Sequence, residues 1–237
     1  MSVRRSIIDL SGIKVLIVND QPVTRIGLRQ IVSSNGALVE EATCSAEATS
    51  LLKDFKPQLL LTEIRFFSNL SFDFLEASQV KFRRHKTLVF SAQPEFIFAE
   101  RVIRSGAQGF ICATAEATEI ENAIARIMSG EIYLSHEVER QIVQRIAGNK
   151  QTDTASDPCA SLSNRELDIL HRLGNGLAPR EIANELTLSV KTIESYRDRL
   201  KEKLGMNSSF QLLRFALECQ IFGLDTKPRQ QPRSAAS

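Results

Sequence analysis

The first half of the chain alternates short apolar runs with amphipathic helical segments. Apolar residues are nearly continuous in five of these runs, namely KVLIVND (14–20), ALVEEAT (37–43), QLLLTEI (58–64), KTLVFSA (86–92) and GFICA (109–113). Such runs are typical of strands that are covered on both faces, as in parallel sheets. Helical segments lie between the runs, with Pro22, Ser45 and Pro94 as start signals. The pattern predicts an α/β domain over 13–130, a doubly wound five-stranded parallel sheet whose functional site lies at the carboxyl ends of the strands.

After residue 130 the apolar runs stop and the pattern becomes helical. Residues 131–161 predict a connecting segment, in which a short helix over 135–147 is followed by a stretch without apolar periodicity that is typical of a linker. Residues 162–220 predict an all-α domain of four helices. The remaining 221–237 are polar, contain two prolines and are predicted to form a disordered tail.

Composition and charge favour an ordinary globular protein and disfavour a membrane or secreted one. Apolar residues make up 43% and charged residues 24% of the chain, and the formal net charge is only +2, so a nucleic-acid partner has to be argued from a local surface. No apolar run approaches the ~18–20 residues that cross a bilayer, and Asp9 breaks the N-terminal apolar stretch too early for a signal peptide. The four cysteines form no CxxC pair, which favours reduced, buried thiols. We therefore expect a cytoplasmic protein without a membrane partner.

The third helix of the C-terminal domain carries two opposite faces. A capping box at Ser163–Glu166 begins the first helix, a second begins near Pro179, and Ser189 caps the third. On a helical wheel with Lys191 at 0°, the apolar residues cluster within about 140–220°; they are Ile193, Tyr196, Leu200 and Leu204. The opposite face contains Lys191, Glu194, Ser195 and Asp198, and cations flank it at Arg197, Arg199, Lys201 and Lys203. This face has the size of one that enters a DNA major groove, although its two acids are equally compatible with an ordinary solvated face.

A family resemblance favours the DNA-binding face over the ordinary solvated face. Residues 162–218 resemble the LuxR-type helix-turn-helix through LSNRE, the glycine turn, EIANEL, LSVKTIESY, KLG and LLRFALE, although Tyr196 stands where that family often has His. The resemblance implies that the third helix is the recognition helix, with Glu194, Ser195 and Asp198 at its base-reading positions. Acidic side chains there would accept hydrogen bonds from cytosine amino groups. Cations and a hydroxyl would contact phosphates, namely Arg180, Lys191, Thr192, Arg197, Arg199 and Lys201.

Residues 14–129 resemble the phosphoacceptor receiver domain of NarL/FixJ-type response regulators. VLIVND places Asn19 and Asp20 where the family has its acidic pair for Mg²⁺, and LLLTEIR places Glu63 at the phosphoacceptor aspartate. LVFSA supplies Ser91 as the switch hydroxyl. GAQGFICA places Phe110 at the switch aromatic and Ala113 where the family has a lysine.

Three of these positions differ from the family's chemistry. The extra methylene of Glu63 moves its carboxylate out of the in-line geometry of phosphoryl transfer. A phosphoryl group would lack its counter-charge at Ala113, and Asn19 removes a negative charge from the Mg²⁺ site. We therefore expect a degenerate receiver that works without phosphorylation and needs no cofactor. Mg²⁺ at Asp20 and Glu63, with a receiver that can still be phosphorylated, is the alternative.

The expected function is transcription regulation rather than catalysis. The predicted partner is double-stranded DNA, bound by a homodimer through the last helix, whose apolar residues exceed what one core can cover; they are Leu212, Leu213, Phe215, Ala216 and Leu217. RNA polymerase and a sensor kinase are further candidate partners. One rival hypothesis is an interaction module that titrates another regulator without binding DNA. A quorum-sensing regulator is disfavoured because the chain has no Trp and a βα-repeating first half.

Overall fold

The computed structural model describes residues 8–66, 69–70, 72–82, 84–92, 95–146, 158–159 and 161–222. The chain divides into two compact units, the first ending at Lys150 and the second beginning at Gln151. None of the described helices has the length and apolar character needed to span a bilayer.

The first unit contains a parallel five-stranded sheet between helices. Its elements are β1 (Lys14–Val18), α1 (Pro22–Ser34), β2 (Leu38–Ala42), α2 (Ser45–Asp54), β3 (Leu59–Thr62), β4 (Arg65–Phe66), β5 (Asn69–Leu70), α3 (Phe72–Phe82), β6 (Lys86–Ser91), α4 (Glu95–Arg104), β7 (Gly109–Cys112), α5 (Ala117–Met128) and α6 (His136–Ile146). The large sheet has the order β2-β1-β3-β6-β7, and all its neighbouring strands are parallel. This confirms the predicted fold class, and each strand is shorter than its predicted run by one to three residues.

Both faces of the sheet are buried because alternate strand residues point to opposite sides. Val15 and Ile17 of β1 belong to a core cluster with Leu28 of α1 and Ile124 of α5. Leu16 and Val18 of the same strand join a second cluster with residues of α2, namely Ala48 and Leu52. The continuous apolar runs of the sequence follow from this two-sided burial.

Two features around the large sheet were not predicted. Strands β4 and β5 form an antiparallel hairpin in the loop after β3. Tyr133 pairs in parallel with Gly109, and the backbone N–H of Phe110 donates to the carbonyl of Tyr133 at 3.1 Å, so the segment after α5 covers the outer edge of β7. Helix α6 then packs on α4.

Some sequence expectations need correction, and others fall outside the described residues. The start signal Ser45 is the first residue of α2, and Cys44 occupies the cap position. All four cysteines are free, as expected, but only Cys159 is buried and the other three are half-buried. The start signal at Pro94, most of the predicted linker (148–157 and 160) and the predicted tail from 223 onward lie outside the described part of the chain.

All the regular secondary structure described in the second unit is helical. Its helices are α7 (Asn164–Gly174), α8 (Pro179–Glu185), α9 (Val190–Lys203) and α10 (Ser209–Phe222). The predicted capping box begins α7: the Glu166 carboxylate accepts from the Ser163 N–H at 2.7 Å, and the Ser163 hydroxyl accepts from the Glu166 N–H at 3.2 Å. Leu167, Leu170 and Leu173 of this helix are buried, which confirms its inward face.

Candidate receiver pocket and nucleic-acid interface

The carboxyl ends of the parallel strands bring the predicted receiver residues together. Asn19 follows β1, Glu63 follows β3, Ser91 is the last residue of β6 and Ala113 follows β7. The Ser91 hydroxyl donates to the Glu63 carboxylate, and the Ala113 N–H donates to the Ser91 carbonyl at 2.8 Å. Phe110 on β7 is fully buried. The switch hydroxyl and the glutamate at the acceptor position are thus directly bonded.

Glu63 is a buried carboxylate held by three hydrogen bonds. Besides the Ser91 hydroxyl, it accepts from the backbone N–H groups of Ile64 at 2.8 Å and Arg65 at 3.3 Å. Burial raises the pKa of the Glu63 carboxyl above its ordinary value, and the hydrogen bonds from Ser91 and Ile64 oppose that rise only in part. A single carboxylate oxygen, Oε1, therefore accepts all three hydrogen bonds.

Asn19 is a buried amide beside a cation that the sequence analysis did not select. Its Oδ1 accepts from the N–H of Gln21 at 2.7 Å, which fixes the turn into α1. The Arg25 guanidinium donates to the Asn19 carbonyl at 2.8 Å and pairs with Glu41 at 3.4 Å. In the sequence, the only indication of this contact was that Arg25 lies in the helix that directly follows Asn19. The side of the pocket at the end of β1 thus carries a fixed guanidinium.

The residues present do not fit the Mg²⁺ ion that the receiver fold implies. Mg²⁺ needs near-ideal octahedral oxygen geometry, with carboxylates free to approach it. Asn19 contributes no charge and its side-chain oxygen already accepts a hydrogen bond, while Oε1 of the buried Glu63 carboxylate accepts from the Ser91 hydroxyl and from the backbone N–H of Ile64. Within the described ranges no cluster of three or more His, Cys, Asp or Glu side chains could hold a metal.

The buried carboxyl of Glu63 predicts a pH dependence of stability. Since burial raises its pKa in the folded chain above the ordinary 4.5, the folded state binds that proton more tightly than the unfolded state. This stabilisation is complete below the ordinary value and is lost as pH rises through the higher folded value. Urea unfolding of the wild type and of Glu63→Gln should therefore give a free-energy difference that shifts in favour of the variant as pH rises. A difference independent of pH between about 4 and 8 would contradict the assigned burial.

Helices α8 and α9 form the helix-turn-helix of the second unit. Thr187 turns the chain between them with φ of 54°. The Ser189 hydroxyl accepts from the Thr192 N–H at 3.0 Å and begins α9 as predicted. Ile193 and Leu200 of α9 are buried, whereas Tyr196 and Leu204 are only partly covered. The predicted apolar stripe is thus the face by which α9 packs in its domain.

The predicted DNA-contacting residues differ in how far they reach solvent. Five are exposed, namely Arg180, Lys191, Ser195, Asp198 and Arg199, and four are partly buried, namely Thr192, Glu194, Arg197 and Lys201. The Arg199 guanidinium lies over the Tyr196 ring at 5.6 Å from the centroid. Val190, the first residue of α9, is 44% exposed beside this face and was not selected from the sequence.

Both acids on the exposed face of α9 are paired with a cation one turn further along. The Arg197 Nη1 donates to both oxygens of Glu194 at 2.8 Å, and Lys201 pairs with Asp198 at 2.9 Å. The Ser195 hydroxyl donates to the Lys191 carbonyl at 3.0 Å. These pairs reduce the negative charge that the two acids would otherwise present to a nucleic acid.

Arg197 is turned inward, unlike the flanking cations with which the sequence analysis grouped it. Its side chain is 19% exposed and lines a groove with Leu173, Leu177, Phe210 and Leu213. The helical wheel already indicated this inward direction, because residue 197 falls at about 240°, next to the apolar Leu204 at about 220°.

Helix α10 has an apolar face that its own domain leaves open. Leu212, Phe215 and Ala216 are buried where α10 packs on α7 and α9. Leu213 and Leu217 are each 40% exposed, and Phe210 is 73% exposed. As predicted, some apolar residues of α10 pack inside the domain and the others remain exposed.

A doubly wound α/β unit with Ser91 and Glu63 at its carboxyl edge, followed by a four-helix unit with a helix-turn-helix, defines a response regulator. Residues 15–125 match the response regulator receiver domain family, and residues 160–216 match the bacterial regulatory proteins of the luxR family.

Relatives of similar length share this organisation. The chain is 30% identical over 214 residues to the oxygen regulatory protein NreC of Staphylococcus aureus, which covers 88% of this chain and 98% of NreC. The RcsB response regulator of Salmonella typhimurium has the same fold, with a TM-score of 0.68 at 20% identity over 88% of this chain and 98% of RcsB. RcsB bound to promoter P1flhDC in the presence of the phosphomimetic BeF3⁻ gives a TM-score of 0.66 at 22% identity, over 87% and 98% of the two chains. The present chain belongs to the two-component response regulators with a LuxR-type DNA-binding domain, which are transcription regulators.

Proposed function

We propose that this chain regulates transcription as a homodimer on duplex DNA, and that its receiver works without aspartyl phosphorylation. The observation that carries the second part is the hydrogen bond from the Ser91 hydroxyl to the Glu63 carboxylate. In an ordinary receiver the phosphoryl group on the aspartate attracts this hydroxyl; here a carboxylate of the chain itself already engages it. Phe110, at the switch aromatic position, is fully buried as well.

The chemistry of the pocket disfavours a phosphoryl group. A phosphorylated side chain carries nearly two negative charges, which need fixed donors and cations. Ala113 offers no charge where the family has a lysine, and Glu63 lies buried with both a hydroxyl and backbone N–H groups bonded to it. A receiver that can still be phosphorylated would have to break these contacts before reaction.

The exposed face of α9 supports the DNA-binding part of the proposal. Lys191, Arg199 and Arg180 reach solvent on the recognition helix and on the helix before it, where they can contact phosphates. RcsB has been solved on promoter DNA and as dimers on DNA. For the present chain, the open apolar face of α10 supports a dimer that places two recognition helices about one helical turn apart.

Selection of bound fragments from the source genome tests DNA binding against the rival interaction module. We expect the full chain to enrich a limited set of fragments with paired half-sites at low salt. A chain that retains no DNA under those conditions, while it captures another regulator, would establish the interaction module instead.

Removal of the Glu63–Ser91 bond should change regulation more than any phosphodonor does. Without the bond a two-state switch relaxes toward its other state, and the loss of one charge-assisted hydrogen bond of about 1.5–3 kcal/mol corresponds to roughly 10- to 150-fold in that equilibrium. We therefore expect Glu63→Ala and Ser91→Ala each to weaken DNA binding of the full chain, with no further loss in the double variant. Ser50→Ala, at an exposed residue of α2, is the control. Additive losses would contradict a shared contact.

A further inference from the structure

The Arg197–Glu194 pair gives Arg197 a role other than phosphate contact. We propose that Arg197 is a positioning residue that holds the Glu194 carboxylate in place to accept a hydrogen bond from a cytosine amino group in the major groove. The proposal rests on the proposed DNA binding, and it assigns sequence discrimination to a side chain that does not itself touch the base.

The geometry of the pair separates the roles of its two members. One nitrogen of Arg197, Nη1, lies 2.8 Å from each Glu194 oxygen. The Arg197 side chain is 19% exposed, whereas that of Glu194 is 47% exposed. Arg197 is therefore the anchored member, and Glu194 is the member that reaches the outer face of α9.

The surroundings of Arg197 keep it away from the DNA backbone. Its stem lines the groove formed by Leu173, Leu177, Phe210 and Leu213. Its Nε–H is buried and has no acceptor among the described residues. An arginine in contact with phosphate would have to leave this groove and release Glu194, which would then face the phosphates as an unpaired acid.

A held carboxylate reads a base better than a mobile one. A glutamate that is already ordered loses less side-chain freedom on binding than a freely rotating one. The ionised carboxylate has about four acceptor sites, so the two bonds from Arg197 leave sites for the N4 amino group of cytosine. A good bidentate base contact discriminates against a wrong base by roughly 5- to 150-fold, and a single hydrogen bond to the cytosine amino group is expected at the lower end of that range.

The neighbouring cation Arg199 provides a matched comparison on the same helix. Its side chain is exposed, and its guanidinium lies over the Tyr196 ring on the outer surface. It has the same charge and donor set as Arg197 but points to solvent. Phosphate contact is therefore expected from Arg199, and base positioning from Arg197.

The test is a mutant cycle on DNA selected by the full chain, in which each C·G pair of the half-site is replaced in turn by T·A. We expect Arg197→Met to lose discrimination, by fivefold or more, at the single position where Glu194→Gln also loses it. In the Glu194→Gln background, Arg197→Met should have no further effect and should leave the slope of log affinity against log salt unchanged. Arg199→Met should reduce the magnitude of that slope by about 0.9 in either background and keep the base preference.

Arg197→Lys keeps the charge and covers the case in which Arg197→Met does not fold. Because an ammonium is a point charge without the planar fork of a guanidinium, we expect this variant to keep the salt slope and lose part of the discrimination. The inference alone would be overturned if an Arg197 variant in the Glu194→Gln background reduced the magnitude of the slope as Arg199→Met does, or if Arg197→Met in the wild-type background kept full discrimination. A wild-type chain that selects no DNA would overturn the proposed function and the inference with it.

Discussion

Reversal of the charge at Lys191 and Arg199 should reduce DNA affinity by about 100-fold or more at 0.1 M salt, whatever the sequence. Both side chains are exposed on α9. Each phosphate contact adds about 0.9 to the magnitude of the negative slope of log affinity against log salt, which corresponds to about eightfold between 1 M and 0.1 M salt. The loss of two contacts gives more than 60-fold on that basis, and the repulsion of two new acids adds to it.

The matched control makes the same change, two cations replaced by two glutamates, at positions far from α9 along the chain. Lys53→Glu with Lys81→Glu alters two exposed lysines of α2 and α3 in the first unit. We expect this control to retain nearly wild-type affinity and an unchanged salt slope in the same titrations. Equal losses in both double variants would mean that net charge, and not the surface of α9, determines binding.

Removal of the open apolar face of α10 should separate the proposed dimer without unfolding the domain. Leu213→Ser with Leu217→Ser changes side chains that are each 40% exposed and leaves the buried Leu212 and Phe215 in place. Since linkage of two half-sites raises affinity by about 10²- to 10⁴-fold, we expect a loss of that size on paired half-sites and little change on a single half-site. Analytical ultracentrifugation should show a monomer at concentrations where the wild type is dimeric.

The control for this prediction is Arg214→Ala, an exposed residue between the two leucines. It should keep both the dimer and the affinity for paired half-sites, because its ion pair with Glu218, at 3.6 Å, lies on the surface. Equal binding of the leucine variant and the wild type to paired sites would place the dimer contact elsewhere.

The sequence was sufficient to predict the elements whose burial follows a simple period. The runs that became β1 and β3 are apolar on both faces because helices cover both sides of the sheet. The β4–β5 hairpin could not be predicted in the same way, because strands of two residues have no period to read. The edge pairing of Tyr133 with Gly109 depends on where the chain returns after α5, which no local pattern indicates.

For the candidate sites, the sequence predicted positions but not the directions of side chains. Glu63 and Ser91 could be placed at strand ends from their motifs, yet the bond between them depends on the register of β3 against β6. Arg197 was grouped with Arg199 as a phosphate contact, although it lies near the apolar stripe and lines the groove beside α10. A charge count treats the two arginines alike, and only packing distinguishes them.

The most direct test of a receiver that works without aspartyl phosphate is incubation of the full chain with acetyl phosphate and Mg²⁺, followed by intact-mass measurement and DNA titration. An ordinary phosphorylatable receiver serves as the control for the donor. We expect no mass gain and an unchanged dissociation constant, because the Glu63 carboxylate is already engaged by Ser91 and Ala113 supplies no counter-charge. A stable gain of one phosphoryl group that tightens DNA binding, and that is abolished by Asp20→Ala or Glu63→Ala, would contradict this account.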